Sequence, residues 1–330
     1  MKLLVTGGYG FIGSNFILKL LEEHQEYKIM NVDAEVNGSN PKNLSKIDNY
    51  KNYEFVKGDI TDYKLMKKLI NQCDVVINFA AESFVDRSIN DSNPFLRSNI
   101  LGTHNILDII TKEKKKMIQI STDEVFGSLE NGSAIEESKF NPTNPYAATK
   151  ASAELLVNSY FTTYNSNVII TRCTNNYGPR QFPEKLIPKT ILLADQNKKI
   201  PIYGNGKNIR DWIFVEDHCN AIFNILGHGK SGQSYNISAS NEINNITIVK
   251  KILTLMNKSE DLIEFVEDRP GHDFRYSMDS QKIKKEMNWQ TKVSFEEGLK
   301  KTVEWYLSNK KWWKDIVESS LNQTPWKNQS

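Results

Sequence analysis

Two periodicities alternate through the first half of the chain. Short β-branched runs at 3–6, 29–32, 54–57, 75–79, 117–121 and 168–172 predict strands. Between them, apolar residues return at helical spacing over about 14–25, 62–72, 94–113 and 145–164. Strand, crossover helix and strand, repeated in this way, build a mostly parallel sheet covered on both faces: an α/β, doubly wound fold of the Rossmann type. Ligands of such sheets sit beyond the C-terminal ends of the strands, so the residues just after each strand carry the most information.

After residue 178 the pattern changes. GPRQFPEKLIPK is rich in turn formers, PIYGNGKNIRDWIF mixes short strands with loops, and a helix over 215–226 leads to a strand at 235–237. A smaller C-terminal lobe is expected over the open end of the sheet, dividing the chain into 1–178 and 179–330, with a crossing back to the first domain. Ser294 followed by Glu297 matches a capping box, and Leu299, Val303, Tyr306 and Leu307 continue it as an apolar stripe. Trp305, Trp312 and Trp313 read as packing or subunit contacts, and Asp217 with His218 as a helix start and packing feature.

Composition removes several classes. The 330 residues carry 42 Lys and Arg against 40 Asp and Glu, a balance unlike that of a protein that coats nucleic acid. The run KEKKK at 112–116 reads as a solvated helix end. Cys73, Cys173 and Cys219 show neither paired nor metal spacing, which points to a reducing compartment. The five histidines lie far apart, and no metal site is expected. No run approaches the ~18 apolar residues of a membrane span, so a cytoplasmic protein without membrane or nucleic-acid partners is expected.

Candidate chemistry begins after the first strand with GGYGFIG. Gly7, Gly10 and Gly13 permit a tight turn and let the backbone approach a pyrophosphate held at a helix N-terminus. Asp33 ends the second strand about twenty residues later, where an acid accepts ribose hydroxyls and repels a 2′-phosphate, favouring NAD over NADP. Asp59 after the third strand reaches towards the adenine, and Ala80 and Ala81 after the fourth leave room for the cofactor. Tyr146 and Lys150 share a helix face at i, i+4, where an ammonium lowers a phenol from its reference pKa of ~10. After the fifth strand, STDEVFG places Asp123 beside Glu124: an acid and a base at adjacent positions, suited to an elimination.

These residues carry a resemblance. The chain resembles the extended short-chain dehydrogenase/reductases and, within them, the nucleotide-sugar 4,6-dehydratases of the dTDP-glucose 4,6-dehydratase type. The likeness continues through FAAESFVDRS, NPYAATK, TRCTNNYGPRQFPEKLIP, PIYGNGKNIRDWIFVEDH and DRPGHDFRY to KKTVEWYLSN, covering nearly the whole chain. It implies that 1–178 is the NAD-binding domain and 179–330 mainly the nucleotide-sugar lobe. It puts Phe11, Ile12 and Ile60, with the glycines and acids above, on NAD. Ser83, Asn99, Tyr146, Lys150 and Asn176 join them.

For the reaction, the resemblance implies that Thr122 holds the sugar at O4 while Tyr146 removes the O4 proton. Glu124 then takes the C5 hydrogen and Asp123 protonates the departing C6 hydroxyl. Ser83 and Asn175 face the sugar. Lys185, Leu186, Pro201, Tyr203, Arg210, Asn245, Arg269 and His272 belong to the nucleotide-diphosphate site. Lys185, Arg210 and Arg269 have the chemistry of a diphosphate clamp. The expected substrate is dTDP-glucose. UDP-glucose, or less readily CDP-glucose, is the alternative handle, and a 4-epimerase is the alternative reaction. A scaffold built on a dead dehydrogenase would have lost Tyr146, Lys150 or the carboxylates.

A homodimer is expected through helices of the cofactor lobe. The chain departs from the family pattern at Ala34, Glu35, Val36, Asn37, Gly38 and Ser39, at Phe84 in place of histidine, and at Phe126 in place of tyrosine. These changes are expected to reshape pocket walls without removing a reacting group.

Overall fold

The computed structural model describes residues 1–314 together with Ile316 and Trp326. The six expected strands are all formed, each within one residue of its predicted ends: β1 (Lys2–Thr6), β2 (Lys28–Asp33), β3 (Tyr53–Lys57), β4 (Val75–Asn78), β5 (Lys116–Thr122) and β6 (Val168–Cys173). The chain continues through β7 (Asn175–Tyr177), β8 (Ile200–Tyr203), β9 (Ile209–Phe214), β10 (Ser234–Ile237), β11 (Glu242–Asn244) and β12 (Ile263–Val266). A seven-stranded sheet has the order β10-β6-β5-β4-β1-β2-β3, and its strand pairs are parallel.

Every residue of β4 and β6 is buried, as strands covered on both faces must be. One layer of the core packs helix Phe11–Glu23 with helix Val215–His228 against the sheet, and the other layer includes helices Tyr63–Ile70 and Thr103–Lys112. The chain therefore does cross back: residues 215–237 return to the first sheet, and Ile283 and Trp289 join the same core. The smaller sheets, β11-β9-β7 and β12-β8, lie in the second half. Ser294 caps the helix, its hydroxyl accepting from Glu297 N, while the Glu297 carboxylate pairs with Lys301, and Leu299, Val303 and Tyr306 are buried beneath it. Trp312 packs edge-on to Trp305 and donates to Asn43, in keeping with a packing role.

Two differences from expectation affect the site. The helix expected over 94–113 is interrupted by a π-helical segment, Leu96–Gly102, which hydrophobic spacing does not reveal. Asn99 sits in that segment and bonds both backbone groups of Glu82 and the Thr149 hydroxyl. The KEKKK run is also only partly a solvated end. Lys116 belongs to β5 and its ammonium donates to the Leu226 carbonyl.

Helix Pro145–Tyr164 is fixed to β6 by a buried ion pair. Arg172 meets Glu154 through two guanidinium nitrogens at 2.8 and 2.9 Å, and the guanidinium lies over Phe126 and Phe140. Removing one partner strands the other charge in the core. Arg172→Met alone should therefore lower stability by about 3–5 kcal/mol in a denaturant titration, and Arg172→Met with Glu154→Leu should recover most of the loss.

Candidate active site

The order of strands reverses between β1 and β4, and the crevice this opens is where the first glycine sits. Gly7 has φ of +69°, and a Cβ there would stand 2.7 Å from Ala80 N. A Cβ on Gly13 would come within 2.5 Å of the Gly7 carbonyl oxygen. Both positions demand glycine, so the turn closes onto the strand ends. Helix Phe11–Glu23 then begins at Gly10 with no side-chain cap, leaving its first-turn N–H groups for an anion.

Asp33 faces the same cavity. Its carboxylate accepts from Tyr9 N, Glu35 N and Ser39 Oγ at 2.8–2.9 Å. That occupies three of its roughly four acceptor sites and leaves one for a ligand hydroxyl. Burial pushes its pKa up, and these hydrogen bonds pull it back.

A cavity of about 620 Å³ runs from this cradle to Lys185. Gly7, Gly10, Phe11, Ile12, Gly13, Asp33, Asp59, Ile60, Ala80, Ala81, Ser83, Asn175 and Asn176 all line it, with the reactive residues Thr122, Asp123, Glu124, Tyr146 and Lys150. Asn99 lies behind the wall, holding the Glu82 backbone. Buried atoms of Ser121, Asp123, Thr174, Asn175 and Gln181 have no hydrogen-bond partner among the described residues, and all five residues line this cavity. Buried polar atoms are ordinarily paired, so this concentration marks where a polar ligand completes the structure. With the glycine cradle and the uncapped helix start, the wall fits a dinucleotide. NAD would be held by these residues.

β5 ends in the reactive cluster. The Thr122 hydroxyl donates to Asp123 Oδ1 at 3.1 Å and accepts from Glu124 N, which opens the one-turn helix Asp123–Phe126. Asp123 is 3% exposed. Burial first, and the Glu124 charge second, push its pKa well above the usual carboxylate range, favouring the protonated carboxyl. Its Oδ2 is one of the partnerless atoms. Glu124 is reached at 3.5 Å by Asn144 Nδ2 and by the Tyr276 hydroxyl.

The Tyr–Lys pair is differently arranged from expectation. Lys150 Nζ donates to the Ile120 carbonyl at 2.7 Å, and burial brings its pKa down to about 8. The Tyr146 phenol is pushed up by burial and then by Glu124, with a hydrogen bond from Thr122 opposing them. Burial and the neighbouring acidic groups thus favour the neutral phenol in the chain's own surroundings.

Beyond Lys185 the expected nucleotide residues gather in a second cluster. Lys185 donates to the Ser83 carbonyl and lies 4.8 Å over the Phe84 ring. Arg269 pairs with Asp86 at 2.6 Å, and the Tyr203 hydroxyl donates to the same carboxylate. His272 packs edge-on to Tyr203, and burial with Arg269 and Arg210 nearby brings its pKa down to about 4. Arg210 spends its guanidinium on the Ile209 and Asp273 carbonyls, 4.2 Å over the Tyr276 ring. Leu186, Pro201 and Asn245 stand at the start of helix Leu186–Asp195, in β8 and at the start of helix Asn245–Leu255. Trp326 covers Tyr203 edge-on at 4.6 Å.

Asp86, Asn144, Gln181 and Tyr276 escaped the sequence reading, because their importance lies in contacts between segments far apart in the chain. The departures at Gly38 and Phe84 prove to be one feature. Gly38 has φ of +86°, and a Cβ there would stand 2.9 Å from the Phe84 ring.

The family model described as GDP-mannose 4,6 dehydratase matches residues 4–302. The chain is 46% identical to the low-salt glycan biosynthesis protein Agl12 of Haloferax volcanii over 310 residues, 94% of this chain and 99% of that protein. The dTDP-glucose 4,6-dehydratase of Bacillus anthracis strain Ames, solved in complex with NAD, is 45% identical and superposes with a TM-score of 0.90 over 96% of this chain and 99% of its own. The dTDP-glucose 4,6-dehydratase of Streptomyces venezuelae, also solved with NAD bound, gives 39% identity and a TM-score of 0.94 over 96% of this chain and all of its own. The glycine cradle, the Thr-Asp-Glu turn and the Tyr–Lys helix thus occur in a chain that belongs to the GDP-mannose 4,6 dehydratase family of extended short-chain dehydrogenase/reductases.

Proposed function

We propose that the protein is an NAD-dependent nucleotide-sugar 4,6-dehydratase that converts dTDP-glucose to dTDP-4-dehydro-6-deoxyglucose. The observation that carries this reading is the adjacent pair: Asp123, whose carboxyl burial pushes towards its protonated form, and Glu124 beside it, both in the cavity that Tyr146 lines. An acid next to a second carboxyl group supplies the two partners that an elimination needs. NAD, when bound, accepts the C4 hydride and returns it to C6.

The chain's residues move the protons. Thr122 holds O4, and Tyr146 takes its proton as the phenolate, a form that burial alone disfavours and that the positive charge of bound NAD would favour, with Lys150 one helical turn away. The resulting C4 carbonyl acidifies the C5 hydrogen, which Glu124 removes. Asp123 Oδ2, partnerless in the wall, gives its proton to the C6 hydroxyl as water leaves. The sugar ends with no net change of oxidation state. A 4-epimerase has no use for this pair.

The solved relatives named dTDP-glucose 4,6-dehydratase support the thymidine handle. A methyl or a hydroxyl distinguishes it only modestly from uridine unless the pocket pairs that hydroxyl. Lys185, Arg210 and Arg269 are the clamp we assign to the diphosphate, which has to replace Asp86 on Arg269. Leu96, Leu101, Leu155 and Tyr164 are roughly half or more exposed on the segments Leu96–Gly102 and Pro145–Tyr164, and we assign this apolar surface to a homodimer contact. The free thiols suit a cytoplasmic setting. No helix among the described residues is long and apolar enough to cross a membrane.

Offered dTDP-, UDP- and CDP-glucose separately, the protein should form a 4-keto-6-deoxy product fastest from the dTDP sugar. Glu124→Gln should slow turnover by roughly 10²–10⁴-fold and abolish solvent exchange at C5. Full C5 exchange in that variant would remove Glu124 from the base role.

Asp123 also predicts a stability cost. Its folded pKa lies above the unfolded value of ~3.9, so the folded state binds the extra proton and stability falls as pH rises above that value. Asp123→Asn should raise the melting temperature at pH 8, by roughly 2–4 °C for each kcal/mol recovered, and by less at pH 4, while turnover collapses. Equal melting temperatures at both pH values would show that the carboxyl is ionised in place.

A further inference from the structure

His218 was expected to do no more than pack. It lies on helix Val215–His228, fully buried, with Nδ1 2.8 Å from the side-chain oxygen of Asn176 in β7. Asn176 lines the cavity, and its carboxamide orientation is determined by a second contact. Nδ2 donates to the Thr174 carbonyl at 3.0 Å, so the side-chain oxygen is the atom turned towards the imidazole. An oxygen facing Nδ1 needs a hydrogen between them, which places the proton on Nδ1 and leaves Nε2 with a bare lone pair.

That lone pair is buried and has no partner among the described residues. Leaving such an acceptor unpaired costs about 1–3 kcal/mol, whereas an apolar side chain would fill the site at no such cost. The imidazole is thus retained for the one hydrogen bond it makes. Burial keeps it neutral by bringing its pKa down to about 3. Gln181 Nε2 grips the Asn176 main-chain carbonyl at 2.9 Å, so three neighbours hold this one residue.

We propose that His218 is a positioning residue for the cofactor end of the cavity: by donating Nδ1–H to the Asn176 side-chain oxygen it prevents the carboxamide from flipping. With that oxygen and one Nδ2 hydrogen engaged inside the protein, the second Nδ2 hydrogen, shared with the Cys173 sulfur that also lines the cavity, is the donor Asn176 offers a ligand. The matching chemistry on the ligand is a neutral carbonyl or ether oxygen, not an anion-stabilising array. This rests on the reading that the cavity takes NAD.

The test uses three variants of the full chain and two readouts that need no turnover. Asn can set an amide N–H where Nδ1–H stands, whereas Leu cannot. His218→Leu should weaken NAD binding about tenfold in a fluorescence titration, the effect of losing one hydrogen bond of about 1.4 kcal/mol. His218→Asn should stay within about threefold of the parent. In an Asn176→Ala background, His218→Leu should cause no further loss.

Parent-like NAD affinity in His218→Leu would overturn the proposal, as would the same tenfold loss without Asn176, or His218→Asn failing as badly as His218→Leu. If His218→Leu does not fold, the tautomer of His218 in the parent protein still decides. Nitrogen-15 spectra of labelled histidine in the parent protein provide a ligand-independent arm. A protonated Nδ1 with bare Nε2 supports the proposal even if NAD is not the ligand, and the opposite tautomer overturns it even if NAD binds.

Discussion

The site depends on how helix Pro145–Tyr164 is held against the ends of β5 and β6. Two buried cations hold it there. Lys150 reaches from the helix to the last turn of β5 at the Ile120 carbonyl, and Arg172 reaches from β6 to Glu154 on the helix. Together they set the Tyr146 phenol beside Thr122, Asp123 and Glu124. Helix register matters because Tyr146 and Lys150 are one turn apart, and a slip of one residue turns both away from β5. Asn144 begins this helix by accepting from Ala147 N, and its amide lies 3.5 Å from Glu124, so the helix start and the base are coupled.

Desolvation then distributes the protons. A single dry wall pushes Asp123, Tyr146 and Lys150 towards their uncharged forms. The same burial that makes Asp123 a proton donor at neutral pH makes it a burden on the fold, and the partnerless atoms along the cavity add to that burden. Such costs are tolerated where ligands relieve them, and five of the eleven such atoms among the described residues belong to this cavity. At the far end Asp86 neutralises Arg269 and accepts from Tyr203, Trp326 covers the ring, and only Arg269 Nε stays without a partner among these described residues. Substrate binding there is an exchange of partners.

Much of this was legible in the residues. β-branched runs located six strands because a strand buried on both faces admits little else. Gly7 and Gly13 could be read because a Cβ at either place collides with backbone, and a local pattern records that collision. STDEVFG was readable because acid and base are adjacent in sequence. The π-helical turn around Asn99 was not, since its apolar spacing passes for α-helix. The contacts of Asp86, Tyr276 and His218 were invisible for a different reason. Each acts on a residue from 42 to 183 positions away, and that proximity exists only after folding. Asn99, expected on the cofactor, also braces the Glu82 backbone beside the cavity. Lys150, expected to act on Tyr146, gives one of its three N–H groups to the Ile120 carbonyl, a contact that exists only after folding.

The central claim is that one cavity oxidises C4, eliminates water across C5 and C6 and reduces C6 without releasing the sugar. Following the label from dTDP-[4-²H]glucose in ordinary water by proton NMR tests it most directly. The account predicts a 4-keto-6-deoxy product with deuterium at C6 and solvent hydrogen at C5. A 4-epimer that keeps its deuterium at C4, with C5 unexchanged, would contradict it.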